Sequence, residues 1–144
     1  MDAFMEAAIN EAKAGLAEGG IPIGSVIVRD GKIIGTGHNK RVQDNDPIMH
    51  AEIDCFRNAG RIGRYEDTTL YSTLMPCFLC AGAVVQFGIK KVVVGEAKTF
   101  AGAREFMESH GVHIVDLDLS ECKEMMARFI RQNLALWSED IGAL

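Results

Sequence analysis

Two stretches of this chain have to converge, and that requirement restricts the fold more than any other feature of the sequence. They are His50-Ala51-Glu52 and Pro76-Cys77-Phe78-Leu79-Cys80. Cys77 and Cys80 are three positions apart, so on a helix their side chains share one face, roughly 5–6 Å apart at Cβ. Two thiolates on one tetrahedral zinc lie about 3.8 Å apart, given Zn–S bonds of about 2.3 Å. Ordinary rotamers in a first helical turn supply that separation. His50 adds a third ligand and leaves a fourth position for water. Glu52, two residues on, reaches that water without binding the ion. Pro76 suits the first helical turn, where its missing N–H has no partner to lose. Cys77 then sits where the helix dipole favours a thiolate.

A lone C-x-x-C also fits a redox pair or half of a structural zinc site. A structural zinc needs four closed ligands. The remaining candidates, Cys55, Cys122, His38, His110 and His113, have no finger-like spacing. A redox pair leaves His50 and Glu52 without roles. The combination therefore predicts a catalytic zinc. Two thiolates and a neutral imidazole cancel the ion's charge, so water activation benefits from a nearby base. Glu52 is the group placed to take the water proton and hand it on during the reaction.

Along the chain, Phe4, Met5, Ala8, Ile9, Ala12 and Leu16 recur at helical spacing from a cap at Asp2 to a stop at Gly19-Gly20. Ile23 to Val28 and Ile33 to Thr36 are β-rich runs joined by Asp30-Gly31, a strong hairpin signal. The second run gives out at Gly37-His38-Asn39, and a polar loop follows. Asn39 thus stands at a strand end, with a donor and an acceptor suited to the edge of a neutral heterocycle; a turn role is the plainer reading. A short helix is expected over 50–59, a strand over 68–73, the Cys77 helix, a buried strand over 91–94, a helix over 103–109 and a strand over 112–115. Ser120 is expected to cap a helix running to about Leu134. Its Met125 and Met126 read as core, as do Cys55 and Cys122, and His38 as structural. The tail, residues 135–144, packs on the core or closes over a pocket with Trp137 and Asp140.

This order of elements predicts a single α/β domain over residues 1–144, its first hairpin antiparallel and its remaining strands parallel. Right-handed crossovers then let the two helices opened by the metal motifs lie side by side on one sheet face. The net charge of −5 and the absence of any basic run argue against nucleic acid as the main partner. The first eighteen residues carry Asp2, Glu6, Glu11 and Glu18 and have neither a signal-peptide nor a membrane-span pattern. The expected compartment is the cytoplasm, with reduced thiols.

His50-Ala51-Glu52 with Pro76–Cys80 resembles the cytidine deaminase-like superfamily of zinc hydrolases. The resemblance extends through Glu18–Gly24, Gly37–Asn39, Asp67–Tyr71, Val92–Glu96 and Trp137–Gly142, in a form similar to cytosine deaminases of the yeast type. It implies a three-layer α/β/α fold around a five-stranded mixed sheet, one zinc per subunit, a homodimer, and hydrolytic conversion of free cytosine to uracil and ammonia. By position it implies that Asn39 and Asp140 hold the pyrimidine, Glu52 shuttles protons, and Ile23, Leu74, Phe100 and Trp137 form apolar walls. The tail is then a lid. Three positions depart from the pattern: Ala51 stands for Gly in the pocket floor, Met75 for a small polar residue, and Ser138 for an aromatic. They leave guanine, isocytosine, creatinine or an aminotriazine open as substrates, with a tRNA adenosine deaminase or a structural zinc module as more distant readings.

Overall fold

The computed structural model describes residues 2–142. In chain order the elements are α1 (Ala3–Ala17), β1 (Gly24–Arg29), β2 (Lys32–His38), α2 (Ala51–Ala59), β3 (Thr68–Ser72) and α3 (Phe78–Gln86). They continue as β4 (Lys91–Val94), α4 (Arg104–Ser109), β5 (His113–Asp116), α5 (Ser120–Gln132) and α6 (Leu134–Asp140). Asp2 caps α1, accepting a hydrogen bond from the Phe4 amide at 2.8 Å. Asp30 and Gly31 both take positive φ, 51° and 73°, as the tight turn between β1 and β2 requires.

The sheet order is β2-β1-β3-β4-β5. β1 pairs antiparallel with both neighbours, whereas β3, β4 and β5 are mutually parallel. The expected antiparallel hairpin and parallel remainder are both present, and β1 alone runs against the other strands. Alternation along the strands divides the core. Ile27, Leu70, Val92, Val94 and Ile114 pack with Cys55 and Phe56 of α2, Ala81 and Val84 of α3, and Met107 of α4. Val26, Val28, Tyr71 and Val93 meet Met5, Ala8 and Ile9 of α1 and Cys122 of α5 on the opposite face. The metal-motif helices thus share one face, as the crossover argument expects.

Their seating depends on Gly37. A Cβ there would lie 2.4 Å from the Cys55 nitrogen and 2.9 Å from the Ala51 carbonyl, so α2 approaches β2 to a distance that only glycine permits. Gly37→Ala is expected to lower stability by about 1–3 kcal/mol, the usual cost of overpacking. Urea unfolding measures this, and an unchanged midpoint would contradict the packing argument.

His38 is structural, and it ties α1 to the end of β2. Its Nδ1 lies 2.8 Å from Glu11 and its Nε2 2.9 Å from Glu18. Burial pushes the imidazole pKa down, but the hydrogen bonds and charges of the two carboxylates outweigh it, and the net shift is upward. A folded-state value above the unfolded one of about 6.5 stabilises the protein fully below that pH. The contribution fades as pH rises through the folded value. His38→Gln should therefore flatten the loss of stability between about pH 6 and 8, read from urea midpoints; parallel curves for both proteins would refute it.

Three local expectations are corrected. Pro76 precedes α3 instead of opening it, because its carbonyl accepts the Ala103 amide at 3.0 Å and Cys77 becomes the N-cap. Ser120 is the first residue of α5 and not its cap; Leu119 holds the cap position, its amide bonded to the Gly95 carbonyl at 2.8 Å. α5 stops at Gln132, where Asn133 leaves helical geometry (φ −143°, ψ 48°) and a separate helix, α6, begins. The last two residues of the expected 135–144 segment lie outside the described residues.

Candidate active site

Both metal motifs enter their helices the same way. His50 and Cys77 are N-caps in extended conformation, with ψ of 163° and 179°, and neither side chain is used to cap its own helix. Each is therefore free to face the other across the neighbouring helix starts. The Cys77 Sγ lies 3.4 Å from the His50 Nδ1, and the ligating atoms of His50, Cys77 and Cys80 all lie within 4.8 Å of one another. Zn–S and Zn–N bonds of about 2.3 and 2.0 Å put tetrahedral S···N and S···S separations at about 3.5 and 3.8 Å. The donor set fits zinc in identity, number and spacing.

The charges are arranged to suit a cation. A hydrogen bond from Cys80, opposed by burial and reinforced by His50, brings the Cys77 thiol down to about 4. Cys80 is pushed the other way by donating that bond and by its burial. His50 is lowered by burial but raised on balance by the Cys77 thiolate. Glu52 is only 4 % exposed. Burial and the Cys77 charge raise its carboxyl to about 7, against the opposing pull of His50. A carboxyl near neutrality exchanges protons in both directions at working pH.

A small cavity opens beside these groups, about 20 Å³ in a measure where one water needs roughly 10–15 Å³. Ile23, Leu74, Met75, Phe100, Trp137 and Ile141 wall it, and Asn39, His50, Glu52, Cys77 and Asp140 supply its polar atoms. Trp137 meets Phe100 edge to face, with ring centroids 6.0 Å apart. Cys80 and Ala51 are fully buried. Ala51 packs among Ile23, Leu74 and Trp137 behind the cavity wall instead of facing the space. Met75 and Ile141 are wall residues that the motif reading did not assign to the pocket. The signal for Ile141 was its place in the tail, and for Met75 its departure from the expected small polar side chain. A larger groove of about 890 Å³ beside Phe56, Arg61 and Tyr65 lies at the other end of α2, away from these groups.

The zinc-binding region model of cytidine and deoxycytidylate deaminases matches residues 1–96. The chain belongs to this deaminase family. It is 43 % identical over 141 residues to a cytosine deaminase of Candida albicans, covering 96 % of this chain and 94 % of that one. It is 38 % identical over 141 residues to a tRNA-specific adenosine deaminase of Streptococcus pyogenes, covering 90 % of this chain and 89 % of that one. The X-ray structure of guanine deaminase from Bacillus subtilis superposes with a TM-score of 0.61 at 32 % identity, over 77 % of this chain and 70 % of that one. The fold is thus that of the deaminases, the enzyme is a hydrolytic aminohydrolase, and zinc is its cofactor. Among the described residues, no helix is long and apolar enough to cross a membrane.

Proposed function

We propose that this deaminase acts on free cytosine, converting cytosine and water to uracil and ammonia. His50, Cys77 and Cys80 would hold the zinc, which when bound would make water acidic enough to serve as a nucleophile near neutral pH. Glu52 takes one proton from the attacking water and passes it to the ring nitrogen, then takes the remaining hydroxyl proton from the attacked carbon and delivers it to the amine, which leaves as ammonia as the carbonyl forms. Asn39 and Asp140 orient the ring edge, and Ile23, Leu74, Phe100 and Trp137 exclude water from it.

The observation that carries the substrate class is the enclosure of the site. Trp137, Asp140 and Ile141 cover the cavity beside Glu52, which favours a free base over a base still joined to a polynucleotide. Of the 135–144 segment, the described residues 135–142 act as a lid, since the space left beneath them holds water-sized groups and not a ring. The identity to the Candida enzyme supports cytosine over guanine or adenosine. We further propose a cytoplasmic homodimer that returns uracil to pyrimidine salvage. Phe78 and Leu79 of α3 are 70 % and 44 % exposed, the kind of apolar surface a partner covers. All four cysteines are free thiols, in keeping with a reducing compartment.

Ammonia release from cytosine, isocytosine, guanine, adenosine, creatinine and cytidine tests the substrate directly. Cytosine is expected to give the highest kcat/KM by at least about tenfold, the discrimination that one mismatched polar group in a closed pocket supports. Turnover of another base with cytosine inert would refute the assignment.

A further inference from the structure

Arg41 does not line the cavity, yet it contacts both polar groups that face the ring. Its backbone N–H donates to the Asn39 Oδ1 at 3.0 Å. Its Nη1 lies 2.9 Å from the Asp140 Oδ1, with the two side chains only 12 % and 7 % exposed. Its Nε donates to the Pro47 carbonyl at 2.8 Å, which fixes the guanidinium against the loop between β2 and α2.

These contacts determine what each partner can offer. With its Oδ1 already accepting from the Arg41 amide, the Asn39 amide is held in one orientation, and its Nδ2 is the group free to read an acceptor on the ring. The Asp140 Oδ1 is buried and off the hydrogen-bonding direction of the guanidinium. The attraction there is charge on charge, and the carboxylate keeps the capacity to accept a bond from an amine. Asp140 ends α6, so the same ion pair also draws the helix carrying Trp137 down over the cavity.

We propose that Arg41 is a positioning residue that couples closure of α6 to the orientation of the two ring-binding groups. This rests on the reading of Asn39 and Asp140 as those groups. The competing role is a purely local one, in which Arg41 only ties its own loop together through Pro47.

Trp137 is the sole tryptophan in the chain, so its fluorescence reports the position of α6 without substrate. In zinc-loaded Arg41→Gln, Trp137 emission should move to longer wavelength and acrylamide quenching should increase. The kcat/KM for the base with the highest turnover should fall on the order of 30-fold or more, mostly through KM, as expected when one partner of a buried charge pair is lost. Arg41→Lys keeps the charge but replaces the planar fork with a single ammonium, and should lie between. Combining Arg41→Gln with Asp140→Asn should cost little more than Asp140→Asn alone. Parent-like emission, quenching and KM in both Arg41 variants, or fully multiplicative losses in the double variant, would overturn the proposal. The fluorescence result stands whichever base is the substrate, so its failure is separable from failure of the cytosine assignment.

Discussion

Zinc-loaded Glu52→Ala protein is expected to deaminate cytosine about four orders of magnitude more slowly than the parent chain, the upper range for loss of a general acid–base group. The size follows from the number of transfers assigned to one carboxyl. On the proposed reading it takes the water proton, supplies the ring nitrogen and then protonates the amine, and no other carboxylate lining the cavity is as close to His50 in sequence or as deeply buried. Asp140, the other acid there, is raised by burial but drawn back by His50 and Arg41, and its charge is already engaged. Metal content should be unchanged, because the three donor atoms that fit zinc do not include Glu52. Thermal stability should hold or rise. Burial disfavours the charged carboxyl, and a strained functional group commonly costs stability that its removal returns. Loss of zinc in the variant, or turnover within about tenfold of the parent, would contradict the shuttle role.

The grouping of the candidate metal donors was legible in the sequence because its constraints are local. The three-residue step from Cys77 to Cys80 and the two-residue step from His50 to Glu52 each run from an N-cap into the first turn of its helix, so they fix relative directions over a short span, whatever the remainder of the fold does. The element order was legible for a similar reason, since Asp30-Gly31 and the alternating apolar periods act over short spans. What could not be read locally were positions decided by distant partners. Pro76 lies outside α3 because Ala103, far along the chain, takes its carbonyl. Ser120 is displaced from the cap because the Gly95 carbonyl takes the Leu119 amide. The tail was ambiguous for the same cause: residues 134–140 are weakly patterned, and what directs α6 over the cavity is the break at Asn133 together with the Arg41–Asp140 pair. Arg41 itself lies in a polar loop without periodicity, so nothing in its sequence context marks it.

The second large effect is expected from Cys77→Ala, and here metal and stability should fall together. His50, Cys77 and Cys80 are the three residues placed to hold the ion, so removing Cys77 would leave two, and the donor count would drop below what catalytic zinc sites use. The hydrogen bond from Cys80 and the nearby His50 bring the Cys77 thiol down, so the pair gives up a proton readily to an incoming cation. Because zinc binds the folded chain, its binding free energy is added to folding stability. The parent protein should therefore lose thermal stability on exhaustive chelation, while Cys77→Ala should unfold at the lower temperature from the outset and show no further response to chelator. Elemental analysis should find less than about a tenth of the parent's zinc, corresponding to at least 1.4 kcal/mol of lost binding. Parent-level zinc in the variant would exclude Cys77 as a ligand. Low zinc with an undiminished unfolding temperature would separate the metal from the fold and show that α2 and α3 hold their facing N-termini together by packing alone.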